Sequence, residues 1–166
     1  MKIYIIGSVG SGKTTLARNI AKKTEIAAYE LDNVVWEHRP DGDRRRIPAE
    51  RDAILQDILK KDSWIIEGAQ YADWVLPALR SADRIIFLDP PNRVIQHRIV
   101  KRFIQQKLHL EEANYRPTFH MLWMMFQWSA QFQKEGRSQI LHMLNSFQEK
   151  TVILKVKKDL NKTVSL

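Results

Sequence analysis

Eight residues near the start of the chain, Gly7-Ser8-Val9-Gly10-Ser11-Gly12-Lys13-Thr14, limit what it can fold into more than any other stretch. They satisfy the phosphate-binding loop pattern G-x-x-x-x-G-K-[ST] at every fixed position. Such a loop has meaning only between a strand and a helix. Both are present: Lys2-Ile3-Tyr4-Ile5-Ile6 is a short β-branched run, and Thr15 to Lys23 carries apolar residues at helical spacing.

The spelling follows from the chemistry of anion binding. Glycines at 7, 10 and 12 let the backbone turn tightly with no β-carbon in the way, so the N–H groups of the Gly7-to-Thr15 stretch, Ser8 and Ser11 included, can converge on phosphate at a helix N-terminus. Lys13 is then expected to reach the β- and γ-phosphates, and the Thr14 hydroxyl to ligate Mg²⁺. The expected ligand is a nucleoside triphosphate, with ATP and Mg²⁺ as the cofactors.

The rest of the composition narrows the setting. The 166 residues suit one nucleotide-binding domain, 1–166, with a full core. The chain has no cysteine, which excludes disulfides and thiolate metal sites and points to a reducing, cytoplasmic compartment. No apolar run is long enough for a signal peptide core or a membrane span, so no membrane partner is expected. A net charge of +8 implies an anionic partner, a description that fits nucleotides and nucleic acid alike.

Further along, Ile26 to Leu31 reads as a second strand with Asp32 at its carboxyl end, where ligands bind in open α/β sheets. There Asp32 would orient or deprotonate an acceptor hydroxyl, or else cap the segment Asn33-Val34-Val35-Trp36. Residues 37–48 form a polar, turn-rich flap whose Arg44, Arg45 and Arg46 either grip a phosphate or solvate the loop. A helix from Ala49 to Lys61 follows. Ser63 to Gly68 reads as a buried strand ending in Glu67, the expected Mg²⁺-side carboxylate; Asp83 to Asp89 is a fourth strand, and Asp89 is either a rival for that role or a turn former. The helix Asn92 to Lys107 puts Arg98 and Arg102 on one face, as surface residues or as a charge-neutralising pair. A lid is expected near 103–120, its polar part at His109 to Thr118. The run Phe119 to Trp128 is apolar nearly all round and reads as a deeply buried helix, with an oligomer or partner surface as the competing reading. The histidines lack metal-ligand spacing and read as structural. Another helix spans Ser138 to Phe147, Val152-Ile153-Leu154 is the last strand, and Lys155 to Lys162 is a basic loop.

With these pieces placed, the chain resembles the adenylate kinase-like branch of P-loop proteins, which includes shikimate and nucleoside monophosphate kinases. Within that branch it is most similar to the bacterial DNA topology modulation proteins. The resemblance rests on Gly7 to Thr15, Leu31 to Trp36, Trp64 to Gly68, Ile85 to Pro90 and Arg98-Ile99-Val100-Lys101-Arg102, and weakens over the last third. It implies a three-layer α/β/α sandwich with about five parallel strands ordered 2-3-1-4-5 and a helical lid. It also implies Arg98 near the adenine, Arg102 at phosphate, and the loop after Leu154 beside the base. Gly68 leads into Ala69-Gln70-Tyr71 rather than the Pro-Arg pair of adenylate kinases, so the acceptor site is a different one.

The function expected on these grounds is Mg²⁺-dependent transfer of the γ-phosphoryl group of ATP to an unidentified small acceptor. Lys13, Asp32, Arg98 and Arg102 would be catalytic, and Thr14 and Glu67 would hold the metal. A nucleotide-switched, nucleic-acid-associated regulator and a slow NTPase are the alternatives. The sequence names neither the acceptor nor the oligomeric state.

Overall fold

The computed structural model describes residues 1–108, 110 and 117–155. The expected residues His109 and 111–116 of the lid, and the basic loop from 156 onward, lie outside the described residues.

A parallel sheet forms the middle layer. Its first strand, β1 (Lys2–Gly7), is central because its apolar run is buried on both faces, as a strand covered on two sides requires. β5 (Trp64–Gly68) lies on one side in the register Ile5↔Glu67, and β6 (Arg84–Leu88) lies on the other in the register Gly7↔Leu88. β2 (Ala28–Glu30) and β7 (Thr151–Leu154) are the edges, giving the order β2-β5-β1-β6-β7. Leaving aside a separate small ribbon, β3 (Trp36–Glu37) and β4 (Arg44–Arg45), this is the expected 2-3-1-4-5 arrangement.

Alternation along the strands divides the core in two. Ile3, Ile5, Ile65 and Ile86 face α1 (Lys13–Thr24) and meet Leu16, Ala17 and Ile20. Tyr4, Ile6, Trp64, Ile66 and Phe87 face the opposite layer. There they pack on α2 (Leu31–Val35), α3 (Pro48–Leu59), α4 (Leu76–Ser81) and α7 (Arg137–Leu144). Full burial of each such side chain contributes roughly 1.5–3 kcal/mol. A third, smaller cluster of Ile95, Ile99 and Met125 joins α5 (Asn92–Lys107) to α6 (Phe119–Gln131).

Two expectations need correction. β2 is only three residues long, and Asp32 lies in the first turn of α2 rather than at a strand end. The chain turns at Leu31 because that side chain is buried against Gly68, where an added β-carbon would come within 2.8 Å of it. Nor is the apolar helix α6 deeply buried: Phe119, Trp123 and Trp128 are 74%, 55% and 45% exposed, and only Met125 and Ser129 are buried. It packs on α5 along one narrow stripe, so its remaining apolar circumference faces outward.

The flap is the β3–β4 ribbon, turned at Gly42 with φ +125°. Its order comes from charge: Arg44 bridges Glu37 and Glu50, and Arg39 also pairs with Glu37. Arg46 serves α2, its Nη1 donating to the carbonyls of Asn33 at 2.6 Å and Trp36 at 2.7 Å.

Candidate functional site: a glycine-rich anion cradle

The loop between β1 and α1 takes the shape its glycines permit. Gly10 and Gly12 have φ of +73° and +101°, the left-handed region that side-chain-bearing residues rarely enter. A β-carbon at Gly10 would also press on Ile99 and Ile95 of α5, at 3.0 and 3.2 Å. The Ser11 N–H donates to the Ser8 carbonyl at 3.2 Å, closing the turn. Ser8 and Ser11 are buried, and the Ser11 hydroxyl has no hydrogen-bond partner among the described residues. A buried hydroxyl left orphaned inside a glycine cradle at a helix N-terminus is what an anion site would have.

Around this cradle the charged groups gather from three elements. Lys13, the first residue of α1, folds back so that Nζ donates to the Ser8 carbonyl at 2.9 Å. Thr14 donates its hydroxyl to Glu67 Oε1 at 2.5 Å, tying α1 to the end of β5. Arg98, from α5, donates from Nη1 to the Ser11 carbonyl at 2.6 Å, so it grips the loop backbone itself. Arg102, one turn further along α5, is close enough to Lys13 for its charge to act on that ammonium. Thr15 is exposed on the outer side of the first turn.

Burial dominates the electrostatics of the site. Burial pulls the Lys13 ammonium below its ordinary value; Glu67 and Asp32 oppose the shift, and Arg102 adds to it. Burial pushes the Glu67 carboxyl up, with Lys13 and the Thr14 hydrogen bond opposing. A bound polyanion would give the buried Lys13 ammonium a further opposite charge. One hydroxyl and one carboxylate, completed by phosphate oxygens and water, are also a donor set that suits Mg²⁺.

Asp32 stands at the rim, exposed, its Oδ1 accepting from Gln70 Nε2 at 3.2 Å. Asp89 does not compete for the Thr14 side. It is buried at the end of β6 and forked by Arg137, whose Nε donates at 3.0 Å and whose Nη2 donates at 2.8 Å. Gln70 and Arg137 escaped the sequence reading because their partners are 38 and 48 residues away. The only local hint was the break from the adenylate kinase pattern after Gly68.

A parallel sheet wound with helices on both faces, with this loop joining its central strand to α1, defines a P-loop nucleoside triphosphatase domain. The family model for the ATPase family associated with various cellular activities (AAA) matches residues 3–156, and the chain belongs to that family. No curated protein matches the sequence. Among solved structures, a shikimate kinase from Bacteroides thetaiotaomicron is 17% identical and aligns over 99% of this chain and 94% of its own, at a TM-score of 0.55. A gluconokinase from Sinorhizobium meliloti is 16% identical over 98% of this chain and 86% of its own, at 0.52. At these identities the likeness is one of fold.

Proposed function

We propose that this chain is an ATP-dependent phosphotransferase acting on a small hydroxyl-bearing acceptor. The observation that carries the proposal is the Thr14–Glu67 hydrogen bond beside Lys13, which joins a metal-binding hydroxyl and a buried carboxylate at the mouth of the glycine cradle. The backbone of Gly7 to Thr15 holds the triphosphate. Lys13, Arg98 and Arg102 offset the charge on the γ-phosphoryl group as it moves, which is where phosphoryl transfer gains most of its acceleration. Asp32, at the open rim, receives the acceptor's proton. Thr14 and Glu67 would hold Mg²⁺, which when bound would supply charge neutralisation to the phosphates.

The chain works as one nucleotide-binding unit, with the 37–48 flap beside the site, in a cytoplasmic setting. Among the described residues no helix is long and apolar enough to cross a membrane. Lys13→Ala tests the reading: turnover is lost while the melting curve is retained, and an undiminished rate of ATP consumption with every acceptor would refute it. The net charge of +8 supports a second reading, the nucleotide-switched nucleic-acid regulator suggested by the topology modulation resemblance. Its mark would be DNA affinity that falls steeply with salt and changes with bound nucleotide.

A further inference from the structure

The ribbon that follows Asp32 carries one arginine not tied into its ion pairs. Of the four arginines on or beside the ribbon, Arg39 and Arg44 are engaged by Glu37 and Glu50, and Arg46 by the carbonyls of α2. Arg45 has no carboxylate partner among the described residues. It lies directly across the ribbon from Trp36, its guanidinium carbon 5.9 Å from the Trp36 ring centroid.

Trp36 is 39% exposed, yet its backbone is fixed at both ends. Its N–H donates to the Asp32 carbonyl, and its own carbonyl accepts from Arg46 at 2.7 Å. Trp36, the extended residue that caps α2, thus follows Asp32 by one helical turn, about 6 Å along the axis. That span is comparable to the one between a nucleobase and a hydroxyl of its own sugar. A rigid, solvent-facing tryptophan with a guanidinium beside it is a stacking platform that accepts any base. The excess of positive charge draws in phosphodiesters as well.

On the phosphotransferase reading above, we infer that the acceptor is a nucleoside hydroxyl, free or at the end of an oligonucleotide, with its base stacked on Trp36. The hydroxyl oxygen bonds to the γ-phosphorus of the triphosphate as the bond from that phosphorus to the bridging oxygen breaks. The electron pair of the broken bond leaves with the nucleoside diphosphate, and the hydroxyl proton passes to the Asp32 carboxylate. Arg45 is free to meet the phosphate of a neighbouring nucleotide.

The experiment uses the full chain, γ-labelled ATP and four acceptors: adenosine, a short single-stranded DNA with both ends hydroxylated, the same DNA with both ends phosphorylated, and ribose. Label is expected on adenosine or on the hydroxylated DNA, which tells the two sources apart, and not on the end-blocked DNA. Trp36→Ala is expected to raise KM for that acceptor roughly five- to a hundredfold with kcat little changed, and Trp36→Phe to recover most of the loss. Arg45→Ala, on the exposed ribbon, serves as a second variant, expected to weaken the DNA acceptor and spare adenosine. Ribose accepting label as readily as adenosine would overturn the inference, as would transfer to none of the four or an unchanged KM in Trp36→Ala. If transfer fails while triphosphate still binds in a Lys13-dependent manner, the inference falls and the nucleotide site stands; if triphosphate does not bind, the phosphotransferase reading itself has failed.

Discussion

Cutting the Asp89–Arg137 pair would show how firmly the outer helices are referenced to the nucleotide loop. Asp89 closes β6, directly after the Leu88 that pairs with Gly7, and it precedes the two prolines that launch α5. Arg137→Met keeps the aliphatic reach and helix propensity but strips the guanidinium from a carboxylate whose side chain is 7% exposed. An unpaired buried charge costs about 3–5 kcal/mol when water cannot reach it. Here the arginine side chain is 40% exposed, so water can enter where the guanidinium was, and the expected loss falls to about 2 kcal/mol. With a urea slope on the order of 2 kcal/mol per molar, the unfolding midpoint drops by about 1 M. Asp89→Asn alone should cost about 1 kcal/mol, and the double variant should recover about 1 kcal/mol relative to the sum of the two. A midpoint shift below about 0.25 M in Arg137→Met, or single effects that add within about 0.3 kcal/mol, would refute the reasoning.

Two further outcomes follow from the cradle. Gly10→Ala suffers both left-handed strain and contact with Ile95 and Ile99, whereas Gly42→Ala, with nothing within 4 Å, suffers strain alone. Urea unfolding should therefore show Gly10→Ala less stable than Gly42→Ala by at least about 1 kcal/mol, and equal losses would discount the packing. Because burial raises the Glu67 pKa in the folded state, the native protein holds a proton there that the unfolded chain has released. Its contribution is fully present below about pH 4.3, the ordinary glutamate value, and is lost as pH rises through the raised folded value. The stability difference between wild type and Glu67→Gln, read from thermal melts across pH 4–8, should shift in favour of the variant as pH rises. Parallel curves would contradict the assignment.

The fold was largely legible because its signals are local. β1, the glycine loop and α1 follow from spacing over some two dozen residues, and α5 spans Asn92–Lys107 as its periodicity predicts. The three inner strands, β5, β1 and β6, coincide with apolar runs, since a strand covered on both faces must be apolar on both. Asp32 was misplaced for want of a distant contact: the turn at Leu31 is set by its packing on Gly68. Helix α6 was misjudged because all-round apolarity says that a helix has a buried face, not how much of its circumference is covered.

The sequence by itself determined that a glycine cradle with Lys13 and Thr14 sits between a buried strand and a helix, because backbone conformation and helical register depend on neighbours in the chain. Only the tertiary structure decided which acid meets Thr14. Glu67 and Asp89 both end apolar strands next to β1, and no local pattern separates them. α1 packs against β5, bringing Thr14 to Glu67 across 53 residues, while α7 delivers Arg137 to Asp89 on the other side. The range of a hydrogen bond is about 3 Å, so the partners of a charged side chain are fixed by where whole elements come to rest.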